Sequence, residues 1–346
     1  MKKISIGVIG TGAVGCVLAS TLSAHEKLDV EFAYNCHKGV TIDGMTEIDT
    51  IKPTGNVKSL VKCVDDPKAF TSKKDIIFLV CKSTHMAKYA ENIAHQLTDN
   101  GFVVMLNNAL VRSCLTAKLP INKIVGMFIE WSCVKLNDYQ VQILSDGPSV
   151  IGTYAKDATP LAKLVCNILT TVSNAVYVEN FNEYVLGRII LNSAISCAGA
   201  ICGYDVEHLF ENKYGRKIFV ELIKEGYFAY TKVGIIPTDY DGKLDYDMFC
   251  SKDLGARLYR RKIMNFLQKY SGTTTSSILL DLQNNKTIEL DYLLGKIIET
   301  AEKNGVNCPV SKKVYNKIVE IYKGQETIRP ELLEIIYKGR KKDDNR

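Results

Sequence analysis

The chain has 346 residues, 46% hydrophobic and 24% charged, with 44 Lys and Arg against 38 Asp and Glu for a net charge of +6. That length allows two separately packed cores, and the composition is that of an ordinary globular protein. The mild charge, with no basic stripe interleaved with aromatics, argues against a nucleic-acid partner, and the longest apolar runs, such as 76–81, are far too short to cross a bilayer.

Met1-Lys2-Lys3 leads straight into an apolar run without a cleavable signal pattern, which predicts a cytoplasmic protein. Eleven cysteines are scattered, with no CxxC pair and no Cys/His cluster at zinc spacing, so no metal site is expected. Cys16, Cys81, Cys166 and Cys197 fall inside apolar runs, where a reduced thiol behaves as a small hydrophobe.

The first predicted element is a buried strand over 4–9. It runs into Gly10-Thr11-Gly12-Ala13-Val14-Gly15 and an apolar helical stretch. Strand, GxGxxG and helix in this order form a dinucleotide-binding unit. The first glycine allows the tight turn, the second admits a pyrophosphate, and the third lets helix pack on strand. The helix N-terminus offers N–H donors and partial positive charge to the phosphates. An NAD site usually carries an acid at the end of the second strand, about 20 residues on. Here that strand, over 28–34, ends in Asn35-Cys36-His37-Lys38. The missing acid favours NADP(H), with Asn35 and Lys38 placed to meet a 2′-phosphate; a solvated loop charge is the plain alternative for Lys38.

Further strands are predicted over 75–80, 102–106 and 124–129, with helices over 14–24 and 85–97, the latter capped by Thr84. This alternation predicts a Rossmann-type, doubly wound parallel sheet. Lys82 and Asn107-Asn108 each follow directly on a strand, where open α/β sheets bind ligands; a surface lysine and a turn asparagine are their ordinary uses. Segments 140–144 and 149–153 read as antiparallel additions joined by a Ser145-Asp146-Gly147-Pro148 turn. A helix over 159–172 and a short strand over 175–178 follow.

Beyond residue 181 only helices are predicted: 182–203, 216–232, 254–269, 276–282, 289–304, 311–322, and a short one opened by Pro330. The organisation is a dinucleotide-binding domain over 1–180, an all-helical domain over 181–330, and a basic tail over 331–346. In the long apolar helix, Arg188, Asn192 and Ser196 recur at i, i+4, i+8 and so share one stripe. Buried polar groups need partners, which either a structural network or an anionic, oxygen-rich substrate would supply. Glu289 opens another predicted helix, where complementing the helix dipole is the plain reading.

Taken in order, these residues resemble the ketopantoate reductase (2-dehydropantoate 2-reductase) family over 3–323. Gly10, Gly12 and Gly15 match its NADPH loop, Lys82 its lysine after the third strand, and Asn107-Asn108-Ala109 its Gln-Asn-Gly turn. Its helix motif Lys-x-x-x-Asn-x-x-x-Asn aligns with Arg188, Asn192 and Ser196. Its Ser-Ser-(apolar)-x-x-Asp and Glu-(apolar)-Asp segments align with Ser276-Ser277-Ile278-Leu279-Leu280-Asp281 and Glu289-Leu290-Asp291, and its loop before the final core helix with Gly305-Val306-Asn307-Cys308-Pro309.

The resemblance implies an NADP(H)-dependent reductase of a small 2-keto acid. Gly10 to Gly15 (with Thr11, Ala13 and Val14), Asn35, Lys38, Lys82 and Asn108 would hold the cofactor. Arg188 and Glu289 would be catalytic, with Arg188 where the family has its proton-donating lysine. Asn192, Ser196 and Ser277 would bind substrate, and a homodimer would be compatible with this. The alternatives are another two-domain dehydrogenase, of opine or hydroxyacid type, and a catalytically silent NADP-binding sensor.

Overall fold

Apolar, β-branched runs supply the central strands of the first of two units, and the second is built from helices. The computed structural model describes residues 3–33, 44–53, 55–106, 112–239, 242–271 and 274–343. It divides into Met1–Asn182 and Glu183–Arg346. The first unit opens with β1 (Ile4–Ile9), α1 (Ala13–Ser23), β2 (Leu28–Ala33), β3 (Met45–Ile51), β4 (Val57–Val64) and β5 (Lys74–Leu79). It continues through α2 (Ser83–Ile93), β6 (Leu97–Leu106), α3 (Arg112–Thr116), β7 (Ile124–Ile129) and β8 (Ser132–Asn137). It ends with β9 (Gln140–Ser145), β10 (Ser149–Thr153), α4 (Thr159–Leu169) and β11 (Ala175–Tyr177).

Among the described residues these strands form one sheet of order β11-β10-β7-β6-β5-β1-β2-β4-β3-β9-β8. The run β7-β6-β5-β1-β2-β4 is parallel throughout. Strand order reverses at β1, whose neighbours are β2 on one side and β5 on the other, and such a switch point is where open α/β sheets bind ligands. The Rossmann-type sheet expected from the sequence is therefore present.

The added strands depart from expectation. Segments β9 and β10 do not pair with each other. β10 pairs antiparallel with β7, and β9 pairs antiparallel with β8. The Glu130 amide donates to the Pro148 carbonyl at 3.0 Å between the two pairings, so 124–137 and 140–153 are the arms of one long hairpin. Gly147 sits at its kink, where a Cβ would lie 2.6 Å from the Glu130 backbone. One end of this ribbon belongs to the β7 side of the sheet and the other to the β3 side, so the sheet curls around α1. That explains why every residue of α1 from Gly15 to Leu22 is buried, although an outer helix would keep a polar face.

A buried ion pair crosses the sheet. Glu31 on β2 and Lys74 on β5 have no exposed side-chain surface and lie 2.9 Å apart. Lys62 approaches the same carboxylate at 2.6 Å, and the Thr71 amide donates to it at 2.9 Å. Burial opposes ionisation of Glu31, but these donors win and hold its carboxyl down at about 2.

The second unit comprises α5 (Phe181–Cys202), which begins two residues before the division, then α6 (Val206–Glu211), α7 (Lys213–Thr231), α8 (Tyr246–Cys250) and α9 (Leu254–Ser271). It closes with α10 (Ser277–Gln283), α11 (Leu294–Lys303), α12 (Pro309–Tyr322) and α13 (Glu331–Asp343). Side-chain caps start many of them: Asp205, Asn212, Asp245 and Ser276 each accept from amides of the first turn. Glu225 of α7 caps α12 from a distance, accepting from the Val310 and Ser311 amides at 2.9 and 2.7 Å and from the Ser311 hydroxyl at 2.6 Å.

Two sequence expectations change here. The stretch 289–304 is not one helix: a 3-10 turn over Leu290–Tyr292 precedes α11, and Leu293 (φ −105°, ψ −98°) breaks the run. The segment 331–346, expected as a tail after a short helix opened by Pro330, forms α13 up to Asp343, because Leu332, Leu333 and Ile336 are buried at i, i+1 and i+4. Among the described residues, α5 is the one helix long and apolar enough to cross a membrane, and it is mostly buried in the protein.

Candidate functional site

The glycine loop leaves the carboxyl end of β1. Its three glycines meet three different demands. Gly10 has φ +134°, and a Cβ there would lie 2.6 Å from the Val80 carbonyl carbon; it is the position where the turn itself requires glycine. At Gly15 a Cβ would lie 1.8 Å from the Gly10 carbonyl oxygen, so the helix can close on the loop only without a side chain. Gly12 is the N-cap of α1, in extended backbone at φ −77°, and among the described residues a Cβ there would meet nothing within 4 Å. Neither conformation nor packing asks for glycine at this position. Thr11 and Gly12 are exposed, no acid stands in the first turn of α1, and the helix dipole favours an anion there. The open ground over Gly12 fits a phosphate bearing on the α1 N-terminus; Ala13 and Val14 supply the first-turn amides.

Lys82 joins this loop through the backbone. The Val80 amide donates to the Ile9 carbonyl at 2.8 Å, and Gly10 packs against Val80 and Cys81, so the residue after Cys81 emerges beside the loop. Lys82 is exposed and occupies the N-cap of α2. This corrects the sequence expectation of a helix over 85–97 capped by Thr84: α2 starts at Ser83, has no side-chain cap, and gives way to a 3-10 turn at Ala94–Gln96. Asn35, Lys38 and Asn108, also expected at the cofactor, lie outside the described residues.

In the second unit, Arg188, Asn192 and Ser196 lie on one face of α5. From Tyr184 to Cys202 only these three and Ile195 are half-buried, and every other residue is buried. The helix thus has a single opening, and polar residues line it. Tyr246 braces the Arg188 turn from α8: its hydroxyl donates to the Gly187 carbonyl at 2.5 Å. Burial pushes the Tyr246 phenol strongly up, with the nearby Arg188 cation opposing, so it stays a neutral donor. Gly187 permits this approach, since a Cβ would lie 2.2 Å from the Thr238 carbonyl oxygen. Sequence reasoning missed Tyr246; the one trace of it was a glycine inside an apolar helix, which signals close backbone approach.

Ser277 and Glu289 stand on separate elements. Ser277 is the exposed first residue of α10, while its neighbour Ser276 is buried and accepts from the Leu279 amide at 3.1 Å as the cap. Glu289 is half-buried at the head of the Leu290–Tyr292 turn. A cation fixed on a buried helix, flanked by an amide and a hydroxyl, can bind a carboxylate or stabilise a developing alkoxide.

Comparison with known proteins agrees with this layout. Residues 6–156 match the family model described as ketopantoate reductase PanE/ApbA, and residues 180–321 match its C-terminal counterpart. The chain is 21% identical over 326 residues to a 2-dehydropantoate 2-reductase of Archaeoglobus fulgidus, spanning 94% of this chain and 100% of that protein. It is 25% identical over 318 residues to one of Pyrococcus horikoshii, spanning 89% and 94%. Among solved structures, a PanE/ApbA family ketopantoate reductase from Ralstonia eutropha shares the fold at a TM-score of 0.78 and 17% identity, over 94% of this chain and 100% of that one. D-mandelate dehydrogenase with NADH and anilino(oxo)acetate does so at 0.77 and 15%, over the same shares.

Proposed function

Since the chain belongs to the ketopantoate reductase family, oxidoreductases that use a nicotinamide cofactor, we propose that it reduces a small, ketopantoate-like 2-keto acid to the 2-hydroxy acid with NADPH. The observation that carries this reading is the single polar opening of α5. A helix otherwise buried along its length presents a guanidinium, an amide and a hydroxyl in one row, the groups a 2-keto acid with a carboxylate and a hydroxyl would use.

In this reading Gly10 to Gly15 hold the pyrophosphate, with Lys82, Asn35, Lys38 and Asn108 toward the rest of the cofactor. A reduced nicotinamide supplies the hydride. Arg188 polarises the keto oxygen and stabilises the alkoxide as a fixed cation. Because a guanidinium does not titrate in the accessible range, it cannot act as the family's lysine does, and the proton comes from water. Tyr246 holds the helix turn that carries Arg188. Asn192, Ser196 and Ser277 take the substrate's carboxylate or hydroxyl, and Glu289 accepts from a substrate hydroxyl or orients Arg188.

The acid-free end of the second strand supports NADPH over NADH. The arginine in place of lysine favours one competing reading, an NADP-binding protein without turnover. Following NADPH absorbance with ketopantoate and a panel of 2-keto acids separates them: turnover on a panel member supports the reductase, and tight NADPH binding without turnover on any member supports the silent protein.

A further inference from the structure

The second unit holds a groove of about 1100 Å³ that shares no residue with the α5 opening. Its walls are two helices in matching register. On α7, Lys213, Arg216, Lys217 and Lys224 follow one another at i, i+3, i+4 and i+11; on α9, Arg257, Arg260 and Arg261 take the first three of the same steps. Among the described residues only two acids, Glu211 and Glu221, line the groove. Its net excess is therefore five positive charges, when the whole chain carries +6. Helix α9 contains no acidic residue at all.

Four of these cations rest against neutral groups. Lys213 and Lys217 lie over the Tyr214 and Tyr337 rings at 4.8 and 4.7 Å. Arg216 donates to the Phe210 and Glu211 carbonyls, and Arg260 to those of Phe249 and Ser251. Lys213, Lys217, Arg257 and Arg261 are exposed along the rim, while Phe210, Val220 and Met264 are buried or half-buried at the floor. Converging like charges in a concave, low-dielectric setting raise the local potential and concentrate anions. The α7 row extends about 16 Å along its helix and the α9 row about 6 Å, and the volume is near the upper end of small-ligand sites.

We propose that the α7–α9 groove binds an elongated phosphorylated small molecule, its phosphate chain held between the two basic rows. This stands independently of the reductase reading. Titration calorimetry of the full chain with sodium tripolyphosphate, at about 0.1 M salt where screening reaches about 10 Å, tests it. Binding is expected, weakened at least about tenfold in the exposed-site variant Arg257→Glu/Arg261→Glu and likewise in Lys213→Glu/Lys217→Glu on the opposite wall. It should be unchanged in Gly12→Val, and NADPH affinity should be unchanged in both charge-reversal variants. Absence of binding, binding as tight as wild type in either charge-reversal variant, or loss in Gly12→Val would overturn it. So would tighter binding of a single-stranded oligonucleotide through the same residues, or a wild-type dimer that the variants split.

Discussion

The glycine loop of the first unit and the polar row on α5 of the second stand in contrasting relations to the folds that carry them. Two of the loop's glycines are demanded by the protein itself: Gly10 by its positive φ and its contact with Val80, Gly15 by the Gly10 carbonyl against it. Gly12 is demanded by nothing among the described residues. On α5 the fold asks for apolar residues almost everywhere, and Arg188, Asn192 and Ser196 occupy the one face where it does not. Function sits where the fold's own requirements stop. In the loop this shows as a missing side chain with empty space beside it, and on the helix as polar side chains that burial did not call for.

The largest effect that can break this contrast is expected at Gly15. Gly15→Val should cost about 3 kcal/mol or more, or prevent folding, because the clash is with backbone that cannot swing away. Gly12→Val should stay within about 1 kcal/mol of wild type in a thermal melt yet lose measurable NADPH binding. Similar melting losses in the two variants would erase the distinction between scaffold and ligand glycines.

The Glu31–Lys74 pair offers a purely structural reference in the first unit. Glu31→Ala leaves the Lys74 ammonium buried without its carboxylate and should cost about 3–5 kcal/mol, with no specific change in cofactor preference. Its pH dependence has a definite sign. The Glu31 carboxyl lies at about 2 when folded against 4.5 ordinarily, so its stabilisation is complete above pH 4.5 and is lost as pH falls from there toward 2. That contribution is on the order of 3 kcal/mol. Urea midpoints that fall less between pH 5 and pH 3 in Glu31→Gln than in wild type would bear this out; identical slopes would contradict it.

The smallest expected effect is cofactor choice. NADPH should bind more tightly than NADH by about 1–3 kcal/mol, the range of one or two charge-assisted hydrogen bonds to the 2′-phosphate. Asn35→Asp should shift the preference toward NADH. Equal dissociation constants for wild type would remove the argument from the acid-free strand end.

Much of this was legible in the chain because it rests on short-range pattern. The strand 4–9 with its glycine loop, the parallel strands that follow, and the i, i+4, i+8 row on α5 are local periodicities, and the structure carries all of them. What escaped depended on partners distant in sequence. β3, β4 and β8 are half-exposed strands whose apolar content is diluted, and they are held by pairing across the sheet. The Gly147-Pro148 segment reads as a reverse turn, whereas contact with Glu130 makes it a kink through a hairpin arm. Thr84 looked like a cap, yet α2 begins one residue before it. Tyr246 lies 58 residues after Arg188 in sequence, and nothing local ties the two.

The account stands or falls on Arg188. At saturating NADPH and 2-keto acid, Arg188→Ala should retain cofactor affinity and lose kcat by about a hundredfold or more, the usual consequence of removing one preorganised oxyanion stabiliser. Arg188→Lys should retain or raise the rate on ketopantoate. An active wild type whose kcat is unchanged in Arg188→Ala would make Arg188 a structural residue and contradict the assignment of the α5 opening to the substrate.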